Sequence, residues 1–471
     1  MCITPISRRS ASMRFWIHWT DAGQREQQTI MSEQHIPASL APMNQVCYTT
    51  LHFDEPWTYE NYLKIGGYQA WQKIIDEKLE PDDVVQIVKD SGLRGRGGAG
   101  FPTGLKWSFM PKGGGQNYFV INSDESEPGT CKDRDLIRFN PHALVEGMLI
   151  GSYAIRASVS YNYMRGEFMD EVYKNFMQAI KDAYANGWAG KDIKGSGIDI
   201  EVIGTLGAGA YICGEETALL ESLEGKKGQP RFKPPFPAGF GLYGRPTTIN
   251  NTESVASVPA IIRNGAEWFK DMGIETAGGQ KCFSVSGHVA SPGNFEINLG
   301  TPFATLLELS GGMKDGIPLK AVIPGGSSVP VVPGELMMQT NMDYDSISKV
   351  AGSMLGSGAV IVMNETTDMV QALRRISRFY YSESCGQCTP CREGTGWLYR
   401  MLTRIVEGKG LPEDIEKLED VAGKIAGRTI CALGDAAAMP VQSFVKHYRH
   451  EFEYYIQNGR SIVSDQLGAV A

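Results

Sequence analysis

The sequence has no run of apolar residues long enough to cross a lipid bilayer. A transmembrane helix needs about 18 or more consecutive apolar residues, and no stretch of this 471-residue chain approaches that length. We therefore expect a soluble protein without a direct membrane span. Any membrane association would have to come through partner proteins.

An excess of positive charge is also absent. The chain carries 53 acidic and 45 basic side chains, which gives a formal net charge of −8. A general nucleic-acid-binding protein presents a basic face, so we expect no nucleic-acid partner. A local basic pocket for an anionic cofactor is still compatible with this charge balance.

Cysteines are scarce, and their pattern does not support disulfides. There are nine, an odd number, at uneven spacing and without a visible secretory signal, which is not a disulfide framework. We expect reduced thiols that are available as ligands. Glycine is abundant instead, with 55 residues, where about 33 would be average for this length. The surplus predicts loops in which the backbone approaches other backbone or a ligand.

Residues 1–46 differ in composition from the rest of the chain. Arg8, Arg9 and Arg14 lie among serines, and the first acidic residue is Asp21. This composition is typical of a mitochondrial transit peptide, but a misassigned upstream start in a bacterial gene is the interpretation that we favour. We treat the segment as an N-terminal extension, either disordered or outside the true chain, and exclude it from the fold prediction.

Strand and helix patterns alternate after this extension. Residues 82–90 have a helical apolar period and acidic residues in the first turn, whereas residues 118–122 and 199–204 have the composition of short strands. Strands that alternate with helices predict an α/β domain, to which we assign residues 47–275.

The pattern changes after residue 275. Short β-rich pieces broken by Gly and Pro, with one helix at about 302–310, predict a small α+β domain over residues 276–355. Residues 366–459 carry helical periods and lack strand signals, and we assign residues 356–471 to the last domain. We expect a C-terminal helical bundle there.

Three cysteines recur at every third position, namely Cys385, Cys388 and Cys391. Thiolates on one tight loop can reach three iron corners of a cubane cluster, and a remote cysteine then closes the fourth. Structural zinc sites more often use two separated pairs of ligands. The triplet therefore favours a [4Fe–4S] cluster, with a zinc site or free thiols as the alternatives.

The fourth ligand must be one of the six other cysteines. Cys431 is the best candidate, because it lies in the same predicted helical domain, shortly after Gly427. The alternative for Cys431 is a buried core cysteine, and we expect the other five to be packing residues.

Two glycine-rich segments are candidate ligand loops. Residues 95–100 match G-x-G-x-x-G, but they follow a predicted helix and not a strand, so they are not a Rossmann fingerprint. The charges of Arg94, Arg96 and Lys106 suit an anionic ligand, although a plain surface loop remains equally open. Residues 204–216 have the strand–glycine–helix context in which a helix N-terminus can bind an anion.

Polar residues near predicted strand ends are further candidates. The acidic loop 124–127 follows a strand, where α/β sheets bind ligands, and its carboxylates could accept hydrogen bonds from ribose hydroxyls. A solvated acidic turn is the alternative. Glu215 and Glu216 would also suit a helix dipole alone. The amides of Asn250 and Asn251 could bond a heterocycle or form an Asx turn.

Five segments resemble one protein family, in the same order. They are RGRGGAGFPTGLKW at 94–107, DESEPGT at 124–130, GAGAYICGEETAL at 207–219, KPPFP at 233–237 and ESCGQCTPCREG at 383–394. The chain is similar in these motifs to the NADH- and FMN-binding flavoprotein subunit of respiratory NADH:quinone oxidoreductase, complex I. The resemblance extends over about residues 50–458.

The resemblance implies a fold, cofactors and a reaction. The fold class would be α/β, with a Rossmann-like FMN domain, a ubiquitin-like β-grasp domain and an all-α domain that holds the [4Fe–4S] cluster through its three clustered cysteines and Cys431. NADH would give a hydride to FMN, and the flavin would pass single electrons to the cluster. Hydride transfer needs no general base, so we predict no catalytic side chain.

The matched motifs also imply individual contacts. FMN would be contacted by Gly95, Arg96, Gly97, Lys106, Asn122, Asp124, Tyr211, Gly214, Glu215, Asn250 and Asn251, with Lys106 near the phosphate. The NADH site would be formed by Gly98, Ala99, Gly100, Phe101, Phe109, Glu127, Glu216 and Phe236, where the aromatic rings stack on adenine and the carboxylates position NADH. The segment NNTES at 250–254 departs from the more usual NNVET, which puts Ser254 in doubt as an FMN contact.

The implied role is electron input to complex I. Its partners would be a small thioredoxin-like [2Fe–2S] subunit and a large multi-cluster iron–sulfur subunit, through which electrons reach quinone. The expected location is the peripheral arm on the cytoplasmic side of the bacterial inner membrane, or the mitochondrial matrix side if the N-terminal extension is a transit peptide.

Two other functions account for part of the sequence. A diaphorase subunit of a soluble NAD-linked hydrogenase or formate dehydrogenase often carries a fused domain with its own [2Fe–2S] cysteines, but residues 1–80 contain only Cys2 and Cys47. A non-enzymatic module with structural zinc and a ligand-binding β-grasp domain is the other hypothesis. A colourless purified protein without flavin would favour that module.

Overall fold

Four strands in the first half of the chain form a parallel sheet. They are β1 (Asn117–Ser123), β2 (Ala157–Met164), β3 (Glu201–Leu206) and β4 (Thr247–Asn251), in the order β3-β2-β1-β4. The chain proceeds outward from β1 to β3 and then returns to the other side of β1. The strand order therefore reverses between β1 and β4, and such a reversal opens a crevice at the carboxyl ends of the strands.

The computed structural model describes residues 43–468. The interpretations of residues 1–46, as a transit peptide or an upstream start, thus lie outside the described residues except at positions 43–46. Within residues 43–468, no helix is both long enough and apolar enough to span a membrane.

The helices around the parallel sheet pack closely on it. In the helix Pro141–Ala154 every residue except Tyr153 is buried. A Cβ atom at Gly151 of this helix would lie 2.4 Å from the ring of Phe119 on β1, so glycine is required for the contact. The helices of this part of the chain are Tyr59–Lys64, Gln69–Asp76, Pro81–Asp90, Thr103–Ser108, Lys132–Phe139, Pro141–Ala154, Glu171–Ala185, Glu216–Leu223, Thr252–Ala256, Val258–Asn264 and Ala266–Asp271.

A second, mixed sheet follows the parallel one. Its strands are β5 (Gln280–Gly287), β6 (Gly293–Asn298), β7 (Leu319–Ile323), β8 (Val332–Pro333) and β9 (Ala359–Asn364), in the order β6-β5-β9-β7-β8. Only β5 and β9 pair in parallel among these strands. The accompanying helices are Phe303–Leu309, Gly334–Met337 and Tyr344–Lys349.

The last part of the chain is helical. Its helices are Met369–Glu383, Thr389–Arg404, Asp414–Ile425, Leu433–Asn458 and Ile462–Gly468, and the described residues after Asn364 contain no strand. Apolar side chains of these helices share one buried cluster with Ile323 of β7 and Ile361 of β9, which fixes the helices against the second sheet. The fold class predicted from the sequence, α/β followed by α+β and all-α parts, is confirmed.

A buried group of charges joins the first and second sheets. Glu253 forms ion pairs with Lys132 at 2.8 Å and with Lys281 of β5 at 3.4 Å, and all three side chains are buried. Burial alone would raise the pKa of Glu253, but the two ammonium groups lower it to about 2. Removing either lysine would leave Glu253 with a single ion-pair partner in a buried environment, which is destabilising.

Candidate nucleotide cleft and metal centre

The candidate cleft lies where β1 and β4 end, at the reversal of the strand order. Asn122 of β1 donates from Nδ2 to the carbonyl of Gly214 at 2.7 Å, and Trp107 donates from Nε1 to Oδ1 of Asn250 on β4 at 3.0 Å. These two bonds attach the second glycine-rich loop and the end of the first glycine motif to the same edge of the sheet.

Asp124 is the carboxylate that the protein leaves incompletely satisfied at this edge. Its Oδ2 is buried and has no hydrogen-bond partner within the described part of the chain. Burial raises the pKa of Asp124 to about 7, although the guanidinium of Arg165 and the hydroxyl of Ser126 act in the opposite direction. An unpaired buried acceptor costs stability, so a ligand hydroxyl that donates to it fits this position.

Two lysines and two glutamates form a chain of charges beside the cleft. Lys106 donates to the carbonyl of Ile249 at 2.7 Å and lies 3.4 Å from Glu216. Lys233 pairs with both Glu216 at 2.6 Å and Glu215 at 3.1 Å. Although burial raises the pKa of Glu216, Lys106 and Lys233 lower it below its usual value. The cluster is neutral overall, but the ammonium of Lys106 is partly exposed and can donate to an anionic ligand group.

Glu215 has a structural task at the same place. It is the N-cap of the helix Glu216–Leu223, and its Oε2 accepts from the N–H groups of Thr217 and Ala218. Asn251 likewise caps the helix Thr252–Ala256, while its Nδ2 donates to Asp133 at 2.7 Å. The structure therefore shows Glu215 and Asn251 as helix caps, and their contacts with FMN stay predictions.

The first glycine-rich loop packs directly on β4. A Cβ atom at Gly97 would lie 2.9 Å from Cβ of Asn251, whereas one at Gly98 would meet nothing within 4 Å. The loop therefore needs glycine at position 97 for close approach, and it leaves open space beside Gly98. Ala99 is exposed, and Gly100 accepts a hydrogen bond from Nε of Arg94 at 2.7 Å.

Arg96 does not point into this space. Its side chain is fully buried and donates from Nη2 to the carbonyls of Gly278 at 2.7 Å and Gln280 at 3.0 Å. Its backbone N–H donates to the hydroxyl of Ser254 at 2.8 Å. The side chain of Arg96 thus ties the glycine loop to the start of the second sheet, and Ser254 ties the loop to the helix Thr252–Ala256.

Three phenylalanines predicted for the NADH site present their rings to solvent. Phe101, Phe109 and Phe236 are 46, 55 and 62% exposed, and the ring centroids of Phe101 and Phe109 are 6.1 Å apart. Exposed aromatic rings beside a polar cleft can stack on a planar ligand, which removes apolar surface from water.

Tyr211 connects the cleft to the helical part of the chain. Its hydroxyl donates to Oε2 of Glu127 at 2.8 Å, and its backbone N–H donates to Oε2 of Glu383 at 3.0 Å. Oε1 of Glu127 accepts from the N–H of Ser328 at 2.7 Å. Burial raises the pKa of Glu127, although these hydrogen bonds act to lower it. A residue of the candidate NADH site is thereby tied to the segment just before the cysteine triplet.

The four predicted cluster cysteines lie together. Cys385, Cys388, Cys391 and Cys431 contact one apolar cluster that includes Tyr380. Cys388 is the N-cap of the helix Thr389–Arg404, whose N-terminal dipole favours an anionic group. Burial raises the pKa of Cys391 to about 11 and that of Cys431 to about 12, so these thiols need a metal to become thiolates near neutral pH.

The spacing of these thiols distinguishes between metal types. In a tetrahedral zinc site with Zn–S bonds of about 2.3 Å, sulfurs are roughly 3.8 Å apart. Among the described residues, only Cys47, Cys282 and Glu296 bring three ligand atoms within 4.8 Å of one another. No three of the four predicted ligand sulfurs lie that close together, so their arrangement does not match a single tetrahedral zinc ion. Glu296 is already engaged, because it accepts the N–H groups of residues 46–48.

Three site residues were not assigned from the sequence. They are Trp107, which holds Asn250, Lys233, which pairs with both glutamates, and Glu383, which accepts from Tyr211. Each lies at the end of a motif that was recognised, since Trp107 ends the first, Lys233 begins KPPFP and Glu383 begins the cysteine motif. A position at the end of a recognised motif was therefore the signal that could have identified these three residues.

Three family models match consecutive parts of the chain. The Nuo51 FMN-binding domain matches residues 88–260, the SLBB domain matches residues 281–362, and the iron–sulfur binding region of NADH-ubiquinone oxidoreductase-F matches residues 371–455. These ranges coincide with the parallel sheet, the mixed sheet and the helices, respectively.

Whole-chain relatives agree with the family models. The chain is 53% identical over 413 residues to the F subunit of NADH-quinone oxidoreductase from Rickettsia bellii, covering 87% of this chain and 98% of that one. It is 51% identical over 419 residues to the protein of the same name from Streptomyces coelicolor, covering 89% and 92%.

Solved structures of an NAD+-reducing [NiFe]-hydrogenase are similar in fold. The H2-reduced form gives a TM-score of 0.72 at 34% identity over 80% of this chain, and the air-oxidized form gives 0.73 at 34% identity over 83%. The chain spans 63% and 66% of the length of those hydrogenase chains, which is less than two thirds of each.

Proposed function

The chain belongs to the family of NADH-quinone oxidoreductase F subunits, and on that premise we propose that it is the NADH-oxidising, electron-input subunit of such an enzyme. One observation carries the proposal: Tyr211 bonds Glu127 of the cleft through its hydroxyl and Glu383 of the cysteine segment through its backbone. The site for a two-electron donor and the site for a one-electron acceptor are thus built on a common residue.

The cofactors supply the redox chemistry and the chain supplies their positions. FMN, held in the cleft, would supply hydride acceptance from NADH and one-electron donation to a [4Fe–4S] cluster. We assign the cluster to Cys385, Cys388, Cys391 and Cys431. The FMN contacts would be Gly95, Gly97, Lys106, Asn122, Asp124, Tyr211, Gly214, Glu215, Asn250 and Asn251. Arg96 would hold the glycine loop in place from its buried side.

The residues of the cleft would bind and orient FMN and NADH, and they would neutralise the charge of the flavin phosphate. Lys106 would bond the flavin phosphate, because it is a part-exposed ammonium at the end of β4. Asp124 would accept from a ribityl hydroxyl through its unpartnered oxygen. The exposed rings of Phe101, Phe109 and Phe236 would stack on NADH, which is also bounded by Gly98, Ala99, Gly100, Glu127 and Glu216.

The family membership supports a proposal for the domains, the assembly and its location. We propose that the FMN domain covers residues 47–275, that the β-grasp domain begins at residue 276 and that the cluster domain follows it. Because β9 (Ala359–Asn364) belongs to the mixed sheet, the boundary expected at residues 355/356 moves to the end of this strand. The partners would be a thioredoxin-like [2Fe–2S] subunit and a multi-cluster subunit in a peripheral arm on the cytoplasmic side of the membrane. The hydrogenase diaphorase is the second candidate, but its similarity is lower in identity and covers less of that chain.

The purified chain, prepared without oxygen, tests this function directly. We expect a flavin spectrum with about one FMN, together with about four irons per chain as a [4Fe–4S] cluster requires. NADH should bleach the flavin band and produce an EPR signal from the reduced cluster. A colourless protein that contains zinc and no flavin would contradict the proposal.

Flavin binding should depend on pH through Asp124. The apoprotein holds a proton on this carboxyl up to a pKa of about 7, compared with an ordinary value of 3.8. Hydrogen bonds from ligand hydroxyls favour the charged form, so binding should release the proton, and affinity should rise as the pH increases toward about 7. The limiting slope is about tenfold per pH unit.

Riboflavin is the suitable probe, because it has no phosphate to titrate. Its affinity for the apoprotein is measured by fluorescence quenching from about pH 5.5 to 8.5. The Asp124→Asn variant should show a flat profile over this range. An equal slope in the variant and the parent would exclude Asp124 as the titrating group and point to other acids near the site.

A further inference from the structure

The hydroxyl of Ser384 lies beside a sulfur of the proposed cluster site. Its Oγ is 3.2 Å from Sγ of Cys391. Ser384 is the C-cap of the helix Met369–Glu383, and its backbone angles of −61° and 125° are extended. This position holds the side chain between the end of one helix and the start of the next, Thr389–Arg404, which carries Cys391.

The thiolate state of a cluster ligand fixes the direction of this hydrogen bond, and the neighbouring backbone is compatible with it. The N–H of Gly386 donates to Oγ of Ser384 at 3.4 Å. The serine oxygen therefore accepts one bond, and its own hydrogen remains available for another. In a cluster, Cys391 is a thiolate without a proton, so the hydroxyl of Ser384 is the donor and the sulfur is the acceptor.

We propose that Ser384 is a positioning residue that raises the reduction potential of the cluster through Cys391. The inference rests on the proposed function, because it requires the cluster at this cysteine. Reduction adds negative charge to the cluster, and a donor to a ligand sulfur stabilises the more negative state. Cys391 is only 6% exposed, so water competes weakly for the sulfur and the bond is effective.

The potential of the holoprotein, measured by EPR-monitored redox titration, tests this inference. Ser384→Ala and Ser384→Gly remove the hydroxyl, and Ser384→Thr keeps it in a backbone conformation that suits threonine. We expect the first two variants to reduce less readily by about tenfold in the equilibrium constant, which is 59 mV for a one-electron couple. Ser384→Thr should stay near the parent value.

Thr395 provides a matched control on the same helix as Cys391. Its Oγ1 donates to the backbone carbonyl of Cys391 at 2.8 Å and not to the sulfur, and the side chain is buried. Thr395→Val should leave the potential unchanged. A shift equal to that of Ser384→Ala would overturn the inference, because it would trace the effect to lost polarity near the cysteine.

The outcomes separate this inference from the proposed function. A parent protein without iron would contradict the cluster assignment itself. A cluster that is present with the parent potential in Ser384→Ala would overturn only the role of Ser384. If both hydroxyl-free variants fail to assemble a cluster that Ser384→Thr retains, the hydroxyl is needed for assembly, and a role limited to the potential is contradicted.

Discussion

Replacing Cys431 with serine should eliminate the [4Fe–4S] cluster and leave FMN in place. A cubane needs four ligands, and the three cysteines of the 385–391 loop cannot supply the last one. Cys431 lies in the connection between the helices Asp414–Ile425 and Leu433–Asn458, and it is not among the residues that we assign to FMN. We expect iron to fall from about four per chain to near zero.

Two activities should separate in this variant. Oxidation of NADH with an artificial acceptor that takes electrons from flavin should persist, while electron delivery to quinone in the assembled enzyme should be lost. Cys131→Ser is the matched control, because Cys131 is partly buried and contacts Asn294 of β6. A Cys431→Ser protein with a normal iron content and EPR signal would refute the assignment.

The cysteine triplet could be interpreted from the sequence because its geometry is local. Three thiols on one loop define three corners whatever the rest of the fold does. The fourth ligand was a weaker inference from spacing, since 40 positions separate Cys391 from Cys431. The structure brings the remote cysteine to the others, because all four cysteines belong to or pack on one apolar cluster, which also contains Leu433 and Tyr380.

The glycine loop illustrates what the sequence could not give. Its position after the helix Pro81–Asp90 is as expected, and this context excluded a Rossmann fingerprint. The direction of Arg96 was not predictable, because an arginine among glycines is typical of both an anion site and a buried clamp. The guanidinium of Arg96 donates to the backbone carbonyls of residues 278 and 280, which are distant in sequence, so Arg96 is a buried structural residue.

Strand β4 was also absent from the sequence interpretation. Its residues TTINN are only five and mostly polar, so they lack a strand pattern, and the strand is defined by its pairing with β1. Without β4 the reversal of strand order is invisible. The grouping of Asn250 with Asn122 and Asp124 therefore came from the family motifs and not from a derived topology.

Loss of the Lys106 charge should have the largest effect on flavin retention. Lys106→Met keeps most of the apolar stem and removes the ammonium that we place at the FMN phosphate. A hydrogen bond to a charged group contributes about 1.5–3 kcal/mol, so FMN should bind roughly 10- to 100-fold more weakly. The loss also leaves Glu216 with Lys233 as its remaining ion-pair partner, and the freed negative charge would repel the phosphate.

Riboflavin distinguishes a phosphate contact from general damage to the cleft. Lys106→Met should weaken FMN binding to the apoprotein strongly and riboflavin binding little, whereas Lys106→Arg should restore much of the FMN affinity. Lys112→Met is the matched control, since Lys112 is an exposed lysine that also pairs with a carboxylate, Asp82 at 2.9 Å. Equal losses for FMN and riboflavin in Lys106→Met would show that Lys106 shapes the cleft without contacting the phosphate. A loss confined to FMN would fix the orientation of the bound flavin, because it would place the phosphate at the end of β4.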